Sequence, residues 1–279
     1  MFAFLHKNNN VMIYQFFTSL KMTKGAIFIF IFGCYSIAYT QLPNRKVQNK
    51  AFSVGEKIEF RVHYGMFTAG TASFEVKPLV NHKGKTCYRF FGLGKSATAF
   101  DWFFKVNDYL DSYVEINSFV PLKYRRKVDE GNFHYEDDVV YDYENQKISG
   151  KQGLFNIVEG VQDMLSGLYY ARCLDVTNME PGTVIKIPTF LDDKIYDLGL
   201  KIIGKETIKT SLGTFKCIKI TPVIVSGRVF KGNDEMKIWV TDDANYLPIR
   251  VESPIIVGTV KADIKSIKNA RNIQSSKIK

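Results

Sequence analysis

Histidine and cysteine are scarce in this sequence, and that scarcity excludes several kinds of site. Only four residues of each type occur among 279. The histidines are widely separated, whereas a zinc site needs clustered histidine or cysteine ligands, so we predict no metal. Three cysteines, Cys87, Cys173 and Cys217, follow residue 40. Their odd number and long spacings give no disulfide framework, and we expect mostly buried free thiols.

Signatures of catalysis are also missing. The sequence has no Gly-x-Ser-x-Gly elbow. The stretch Gly92-Leu93-Gly94-Lys95-Ser96 resembles the end of a phosphate-binding loop, but Arg89 stands where that motif requires glycine. We therefore predict no catalytic residue and no cofactor, and we favour a protein that is not an enzyme. A pair of carboxylates acting on glycans stays open, because its geometry is three-dimensional.

The formal charge of +10 would suit nucleic acid, but it belongs to the ends of the chain. Residues 1–50 contain six bases and no acid, and residues 261–279 contain six bases and one acid. Residues 51–260 carry 26 bases and 27 acids. The body of the protein is thus close to neutral, and we expect no nucleic-acid partner.

One basic segment, residues 123–127, lies within that neutral body. Alternation in a strand sends Arg125 and Lys127 to one face and Arg126, with Tyr124 and Val128, to the other. No continuous basic stripe forms, so this segment is typical of a strand with a solvated face.

The N-terminal region indicates export. Lys24 precedes the apolar run 26–38, which is too short to span a bilayer and has the length of a signal-peptide core. Cleavage fits after Thr40, and Met22 is a plausible true start. Lipidation at Cys34 and an uncleaved membrane anchor are the alternatives. After cleavage we expect no stable membrane span.

The rest of the chain is predicted to be mainly strands. Alternating apolar and polar residues over 58–64 and 72–76 predict an antiparallel hairpin, and the alternation over 133–143 predicts a long strand with one aromatic face. Short strands joined by turns favour antiparallel β-structure. We predict a signal peptide at 1–40, a linker at 41–51, one β-rich domain at 52–264 and a basic disordered tail at 265–279.

One segment, residues 156–174, predicts an amphipathic helix. Its apolar residues recur at three- and four-residue spacing; they are Ile157, Val161, Met164, Leu165 and Leu168. The opposite side carries Glu159, Gln162, Asp163 and Ser166. Gly160, Gly167 and Ala171 form a strip of small residues, which would allow close approach to a sheet or to a ligand.

Several stretches together resemble a known family, the uncharacterised bacterial envelope proteins catalogued as domain of unknown function 3108. The stretches are GEKIEFRVHYG at 55–65, AGTASFEV at 69–76, FVPLKY at 119–124, VQDMLSGLYYAR at 161–172, LGTFKCIKITP at 212–222 and IWVTDDANYLPIRVE at 238–252. The resemblance implies an exported, mainly β protein and supplies no catalytic residue. The architecture is also similar to periplasmic lipoprotein carriers built from a curved sheet and a helix.

We therefore predict a mainly β fold, a curved antiparallel or open barrel-like sheet with the 156–174 helix packed on it or in it. The favoured function is an exported envelope protein that binds or carries a lipid or another amphiphile. The predicted ligand-contacting residues are Ile157, Gly160, Val161, Met164, Gly167 and Leu168. The alternatives are a structural or interaction protein of the envelope with a filled core, and a hydrolase acting on envelope glycans.

Overall fold

The computed structural model describes residues 45–102, 104–224, 236–255 and 258–278. Within them lie one short 3-10 turn, Thr98–Phe100, and one α-helix, α1, Met164–Arg172. The strands are β1 (Lys57–Tyr64), β2 (Phe67–His82), β3 (Lys85–Ser96), β4 (Asn107–Glu115), β5 (Pro121–Glu130), β6 (Phe133–Asp142), β7 (Lys147–Gly150), β8 (Gly153–Asn156), β9 (Val184–Leu191), β10 (Lys194–Thr210), β11 (Gly213–Ile224), β12 (Lys237–Thr241), β13 (Pro248–Pro254) and β14 (Thr259–Lys268).

All 14 strands form a single antiparallel sheet. Its order is β8-β7-β6-β5-β4-β3-β2-β1-β14-β13-β12-β11-β10-β9. Chain neighbours therefore pair within two meanders, and the pairing of β1 with β14 joins them. The predicted fold class, mainly β with one antiparallel sheet and one helix, is confirmed. No helix in the described part of the chain has the length and apolar character needed to cross a membrane.

The sheet curves until its two edge strands, β8 and β9, approach each other. The rings of Phe155 in β8 and Phe190 in β9 lie 5.3 Å apart between centroids. The amide of Gln152 donates to Asp193 Oδ2 over 3.2 Å. The two strands do not pair with each other, so the sheet is barrel-like but open.

Gln162, between β8 and α1, covers part of the β9 edge. Its amide donates to the carbonyl of Pro188 over 2.8 Å, and its carbonyl accepts from the amide of Phe190 over 2.8 Å. An uncovered strand edge can pair with another chain. Gln162 satisfies two backbone groups of β9 that would otherwise be open to such pairing.

The helix is shorter than the sequence pattern predicts. The predicted range 156–174 is wrong at its start, because Asn156 ends β8 and Gly160 has a φ of +72°. Asp163 is the N-cap, and its carboxylate and Ser166 form a reciprocal capping box. The apolar spacing of Ile157 and Val161 therefore reflects packing of an irregular segment rather than helical turns.

The helix lies inside the curve of the sheet, where β3, β4 and β9 contact it. Leu165 and Tyr169 are buried, but so are Gln162, Asp163 and Ser166 from the side predicted to be polar. These three polar residues lie in the interior because they form the hydrogen bonds that cap α1 and cover the edge of β9. Buried backbone groups need such partners.

Both ends of the described chain pack on the domain. In the predicted linker, Ala51 is buried and the amide of Val47 donates to Asn117 O over 2.9 Å. The predicted disordered tail is wrong: β14 continues to Lys268, and the amide of Ile278 donates to Thr214 O over 2.9 Å. Ser276 is buried against Asp243. These backbone and side-chain hydrogen bonds order a segment that lacks apolar periodicity.

The three later cysteines are free thiols, as predicted. Cys87 and Cys217 are buried, and Cys173 is half-buried at the end of α1. Burial raises the pKa of the Cys87 thiol to about 11, so it stays protonated near neutral pH. The predicted signal peptide, Met22 and Cys34 lie outside the described residues.

Candidate functional site

The six predicted ligand-contacting residues lie around the start of α1, but they do not share a helical face. Val161 is buried, whereas Ile157 and Leu168 are half-buried and pack against the core. Gly160 is buried beside Arg45, and Met164 is the first residue of α1. A Cβ on Gly167 would lie 3.6 Å from the Cβ of Gln162, which is an ordinary packing contact.

The space beside the second half of α1 is filled by aromatic rings. Tyr169 stacks on Phe90 with 3.9 Å between ring centroids, and Phe52 meets Tyr169 edge-on at 5.0 Å. Phe119 lies 6.0 Å from Phe90. Such packing is typical of a solid protein core, so side chains of the sheet and the N-terminal segment fill the space beside this half of the helix.

The first turn of α1 faces a different environment, a group of buried polar side chains that we call the tyrosine cluster. Strand alternation places Ser112 in β4 and Tyr124 in β5 on the inner face, directly opposite each other in the ladder. Tyr141 in β6 and Tyr143 just beyond it are also buried. Asp163 completes the cluster from the helix side.

Asp163 is tied to both the helix and the sheet. Its Oδ1 accepts from the amides of Leu165 and Ser166 over 2.8 and 2.7 Å, and its Oδ2 accepts from the Ser112 hydroxyl over 2.6 Å. Burial raises the pKa of Asp163 to about 6, and these hydrogen bonds oppose the rise. The cluster therefore contains a carboxyl group that titrates slightly below neutral pH.

Three tyrosine hydroxyls in the cluster have no hydrogen-bond partner in the described structure. They belong to Tyr124, Tyr141 and Tyr143, and all three oxygens are inaccessible to solvent. Burial raises the pKa of each hydroxyl, and the charge of Asp163 contributes to the rise for all three. Buried hydroxyls are normally hydrogen-bonded, so three such groups in one cluster are unusual.

Charged side chains lie next to the cluster. Arg126, one inward position along β5 from Tyr124, forms an ion pair with Asp192 and lies 4.0 Å from Asp137. Its Nε has no partner in the described structure. Burial raises the pKa of Asp137, and the charge of Arg126 opposes the rise. The Arg126 guanidinium also lies over the Tyr135 ring at 4.6 Å.

Two further carboxyl groups, those of Asp108 and Glu130, are buried between the ends of β4 and β5. Burial raises the pKa of Asp108, and a hydrogen bond with Glu130 opposes the rise. In glycosidases the two carboxyl groups flank the substrate bond and are about 5–9.5 Å apart. Groups in direct contact and closed to solvent do not have that arrangement.

A pocket of about 440 Å³ lies elsewhere, between the segment after α1 and strands β10 and β11. Its lining includes Val176, Met179, Pro181, Ile202, Lys205 and Ile218. None of the six predicted residues and no member of the tyrosine cluster lines it. Within the described residues, no three histidine, cysteine or acidic side chains are arranged to hold a metal ion.

The sequence predicts which face of each strand the cluster residues occupy, but it does not link them to one another or to Asp163. The predicted face shared by Tyr124, Arg126 and Val128 is buried, and Arg125 and Lys127 are exposed. The aromatic face of residues 133–143 was likewise predicted. The available signal was that this inward aromatic face carries hydroxyl groups, because tyrosine buried in a core needs a partner for its O–H.

Comparison with solved structures shows a shared fold. A beta-barrel-like protein of the domain of unknown function DUF1849 from Brucella abortus matches over 78% of this chain and 99% of its own, with 7% identity and a TM-score of 0.50. An exported-protein candidate with a YmcC-like fold from Bacteroides fragilis matches over 78% and 97%, with 11% identity and a TM-score of 0.36. At 7% identity the likeness to the Brucella abortus protein concerns fold and not activity, and the shared fold rests on that protein alone.

Sequence comparison identifies the family. Among curated proteins, none matches the chain. A family model described as "Protein of unknown function (DUF3108)" matches residues 59–265. This range contains all of β2 to β13 and most of β1 and β14, the two strands that join the meanders. The chain therefore belongs to the DUF3108 family.

Proposed function

We propose that this protein is an exported, non-enzymatic binding protein of the cell envelope, and that its ligand is a lipid or another amphiphile. The polar group of the ligand occupies the tyrosine cluster. The proposal of export rests on the apolar run 26–38 after Lys24, because this run has the length of a signal-peptide core.

One observation carries the proposal: three buried tyrosine hydroxyls have no partner in the described structure, and the charge of one carboxyl group, that of Asp163, acts on all three. Leaving a buried hydroxyl unbonded costs about 1–3 kcal/mol, so three together would cost a large part of a typical folding free energy of about 5–15 kcal/mol. A bound polar group that accepts hydrogen bonds from the hydroxyls removes this cost. Phosphate, carboxylate and ester oxygens are acceptors of this kind.

The surroundings of the cluster favour an amphiphile over a purely polar ligand. Apolar side chains, among them Leu110, Val139 and Ile148, share the buried inner face with the tyrosines. Val161 lies two residues before Asp163 and Met164 follows it directly, and methionine adapts to irregular apolar ligands. Of the six residues predicted from the sequence, these two are the strongest candidates for contact with the apolar part of the ligand.

A second function is favoured by a separate observation. The rings of Phe52, Phe90, Phe119 and Tyr169 fill the space beside the second half of α1. A filled interior is what a structural or interaction protein of the envelope would have, with trapped water bonding the tyrosine hydroxyls. The contact between Asp108 and Glu130 gives no comparable support to a glycan hydrolase.

Native mass spectrometry with lipid extraction, on protein purified from its own envelope, tests the proposal. The variants are Tyr124→Phe, Tyr141→Phe and Tyr143→Phe, each of which removes one hydroxyl. Tyr169→Phe is the matched control, because its hydroxyl is also buried without a partner but lies near Glu56 and Arg172 rather than Asp163.

We expect an amphiphile bound to the wild type and to the control, and a reduced bound fraction in the three cluster variants with no loss of folding stability. An equal bound fraction in all five proteins would mean that the ligand binds outside the cluster. An empty wild type would favour the structural function.

A further inference from the structure

Three neighbouring turns at one end of the sheet expose large apolar side chains. The β1–β2 turn and the start of β2 carry Met66 and Phe67, the β3–β4 connection carries Trp102 and Phe104, and the start of β6 carries Phe133. Their exposed fractions are 88%, 67%, 85%, 36% and 38%. We call these five residues the apolar rim. Single exposed apolar side chains are ordinary, but five of them on neighbouring turns are typical of an interaction surface.

Backbone hydrogen bonds tie the three turns together. The amide of Ala97 donates to the carbonyl of Ala69 over 2.8 Å, and the amide of Gly131 donates to the carbonyl of Lys105 over 2.8 Å. A Cβ on Gly131 would lie 3.1 Å from the ring of Phe104. The three turns therefore lie side by side along this end of the sheet.

The first turn is also fixed from the side. Arg61 donates from Nη2 to the carbonyl of Met66 over 3.1 Å and from Nε to the Thr68 hydroxyl over 2.7 Å. The exposed side chain of Met66 thus extends from a braced turn. Presentation on a braced backbone lowers the entropy lost when the side chain is buried in a partner.

Two lysines beside the rim carry charges that no described acid pairs with. Lys95 and Lys105 are exposed and form no ion pair in the described structure. Of the acids nearby, Asp101 accepts a hydrogen bond from Ser96, and Asp129 pairs with His134 at 2.7 Å. The unpaired lysines would complement a surface that carries negative charge.

We propose that the apolar rim docks on the surface of an anionic lipid bilayer. Trp102, Phe67 and Met66 insert at the level of the lipid head groups, and Lys95 and Lys105 contact lipid phosphates. Tryptophan and phenylalanine with flanking lysines are the side chains that proteins use at this depth. The projecting turn tips suit a deformable lipid surface better than a flat protein surface. This surface is distinct from the tyrosine cluster, and its function does not depend on that site.

The two tryptophans of the chain make the test specific. Trp102 is 85% exposed in the rim, whereas Trp239 is buried and donates from Nε1 to Glu206 over 2.8 Å. Mixing the full-length protein with phosphatidylglycerol–phosphatidylcholine vesicles should shift tryptophan emission to the blue, and brominated lipid should quench it. Trp102→Phe should abolish both changes, because only the buried Trp239 remains.

Vesicle affinity of further variants separates the apolar and charged contributions. Phe67→Ser and Met66→Ser should weaken binding, and Ile273→Ser is the matched control, since Ile273 is 91% exposed but lies in the C-terminal segment. Lys95→Glu and Lys105→Glu should each weaken binding about fivefold or more, because a lysine near an anionic bilayer contributes about 1 kcal/mol.

Three results would overturn the proposal: no emission shift with anionic vesicles, an equal loss of affinity in Ile273→Ser, or equal binding to vesicles of phosphatidylcholine alone. Capture of an envelope protein through the rim, without any vesicle response, would likewise replace the lipid partner with a protein one.

Discussion

Arg172 at the end of α1 and Glu56 just before β1 form a two-point ion pair in the interior, with Nη1–Oε1 and Nη2–Oε2 distances of 2.6 and 2.9 Å. Both side chains are at most 3% exposed. The Arg172 guanidinium also donates from Nε to Asn245 O over 3.0 Å. The pair therefore fixes the C-terminal end of the helix to the first strand and to the turn before β13.

Removing one partner of this pair should destabilise the fold strongly. We expect Glu56→Ala to lower the free energy of unfolding by about 3–5 kcal/mol, because it leaves a buried, unpaired guanidinium. Glu59→Ala is the control: its pair with Lys57, at 2.7 Å, has side chains about one-third exposed and should cost about 0–1 kcal/mol. Urea unfolding of both variants measures the difference, and similar losses would contradict the assignment.

The two glycines predicted to form one helical strip should respond oppositely to alanine. Gly160 has a φ of +72°, so Gly160→Ala should cost about 1–2 kcal/mol. Gly167 lies within α1, and its missing Cβ has room at 3.6 Å from the nearest side chain. Gly167→Ala should therefore stabilise the protein by about 0.5–1 kcal/mol. Thermal melts of the two variants provide the comparison, and a loss in both would mean that Gly167 packs more tightly than its geometry indicates.

Alanine substitutions along α1 should distinguish fully buried residues from half-buried ones by their cost in stability. Leu165 is buried, and Leu165→Ala should cost about 2–5 kcal/mol. Leu168 is half-buried against the core, so Leu168→Ala should cost clearly less. Denaturant unfolding measures the two costs. A larger loss of unfolding free energy in Leu168→Ala than in Leu165→Ala would support the apolar face predicted from the sequence.

Asp163 should make stability depend on pH. Its pKa is about 6 in the folded protein against an ordinary value of 3.8, so the folded state binds this proton more tightly than the unfolded chain. The stability that Asp163 gains from binding this proton is fully present below about pH 4 and is lost as the pH rises through about 6. The difference between the two pKa values corresponds to about 3 kcal/mol of folding free energy.

Asp163→Asn keeps an N-cap side chain and removes the titration. We therefore expect the wild type, but not the variant, to lose this stability between about pH 4 and 7 in urea unfolding series. Asp108 and Asp137 also have raised pKa values, and both remain in the two proteins. Parallel pH profiles would show that Asp163 does not titrate in this range.

The sequence predicts the strands well because each depends on local alternation. The hairpin of residues 58–64 and 72–76 forms as expected, with Phe60 opposite Ala72. The helix start was wrong because the 3.6-residue spacing of Ile157 and Val161 also occurs in an irregular segment packed on a core. The capping residues, Asp163 with Ser166, were the better signal for the helix start.

The tyrosine cluster and the apolar rim could not be predicted from local pattern. Each depends on residues far apart in the chain, such as Ser112 opposite Tyr124 and near Asp163. The cluster forms because α1 brings Asp163 to the inner face of the sheet, and the rim forms because the strand order places its three turns at the same end. Single-sequence periodicity identifies the inward tyrosine face, but it does not show that Asp163 lies beside that face or that the three rim turns are neighbours.

The pairing of β1 with β14 has a consequence for how the chain folds. It aligns Lys57 with Lys268 and Tyr64 with Val260, so the centre of the sheet forms between segments about 200 residues apart in the chain. Contacts of such long range are slow to form. Until β14 is available, both β1 and β13 have an open edge that can pair with other chains. Loss of the last strand should therefore lead to aggregation rather than to a smaller folded protein.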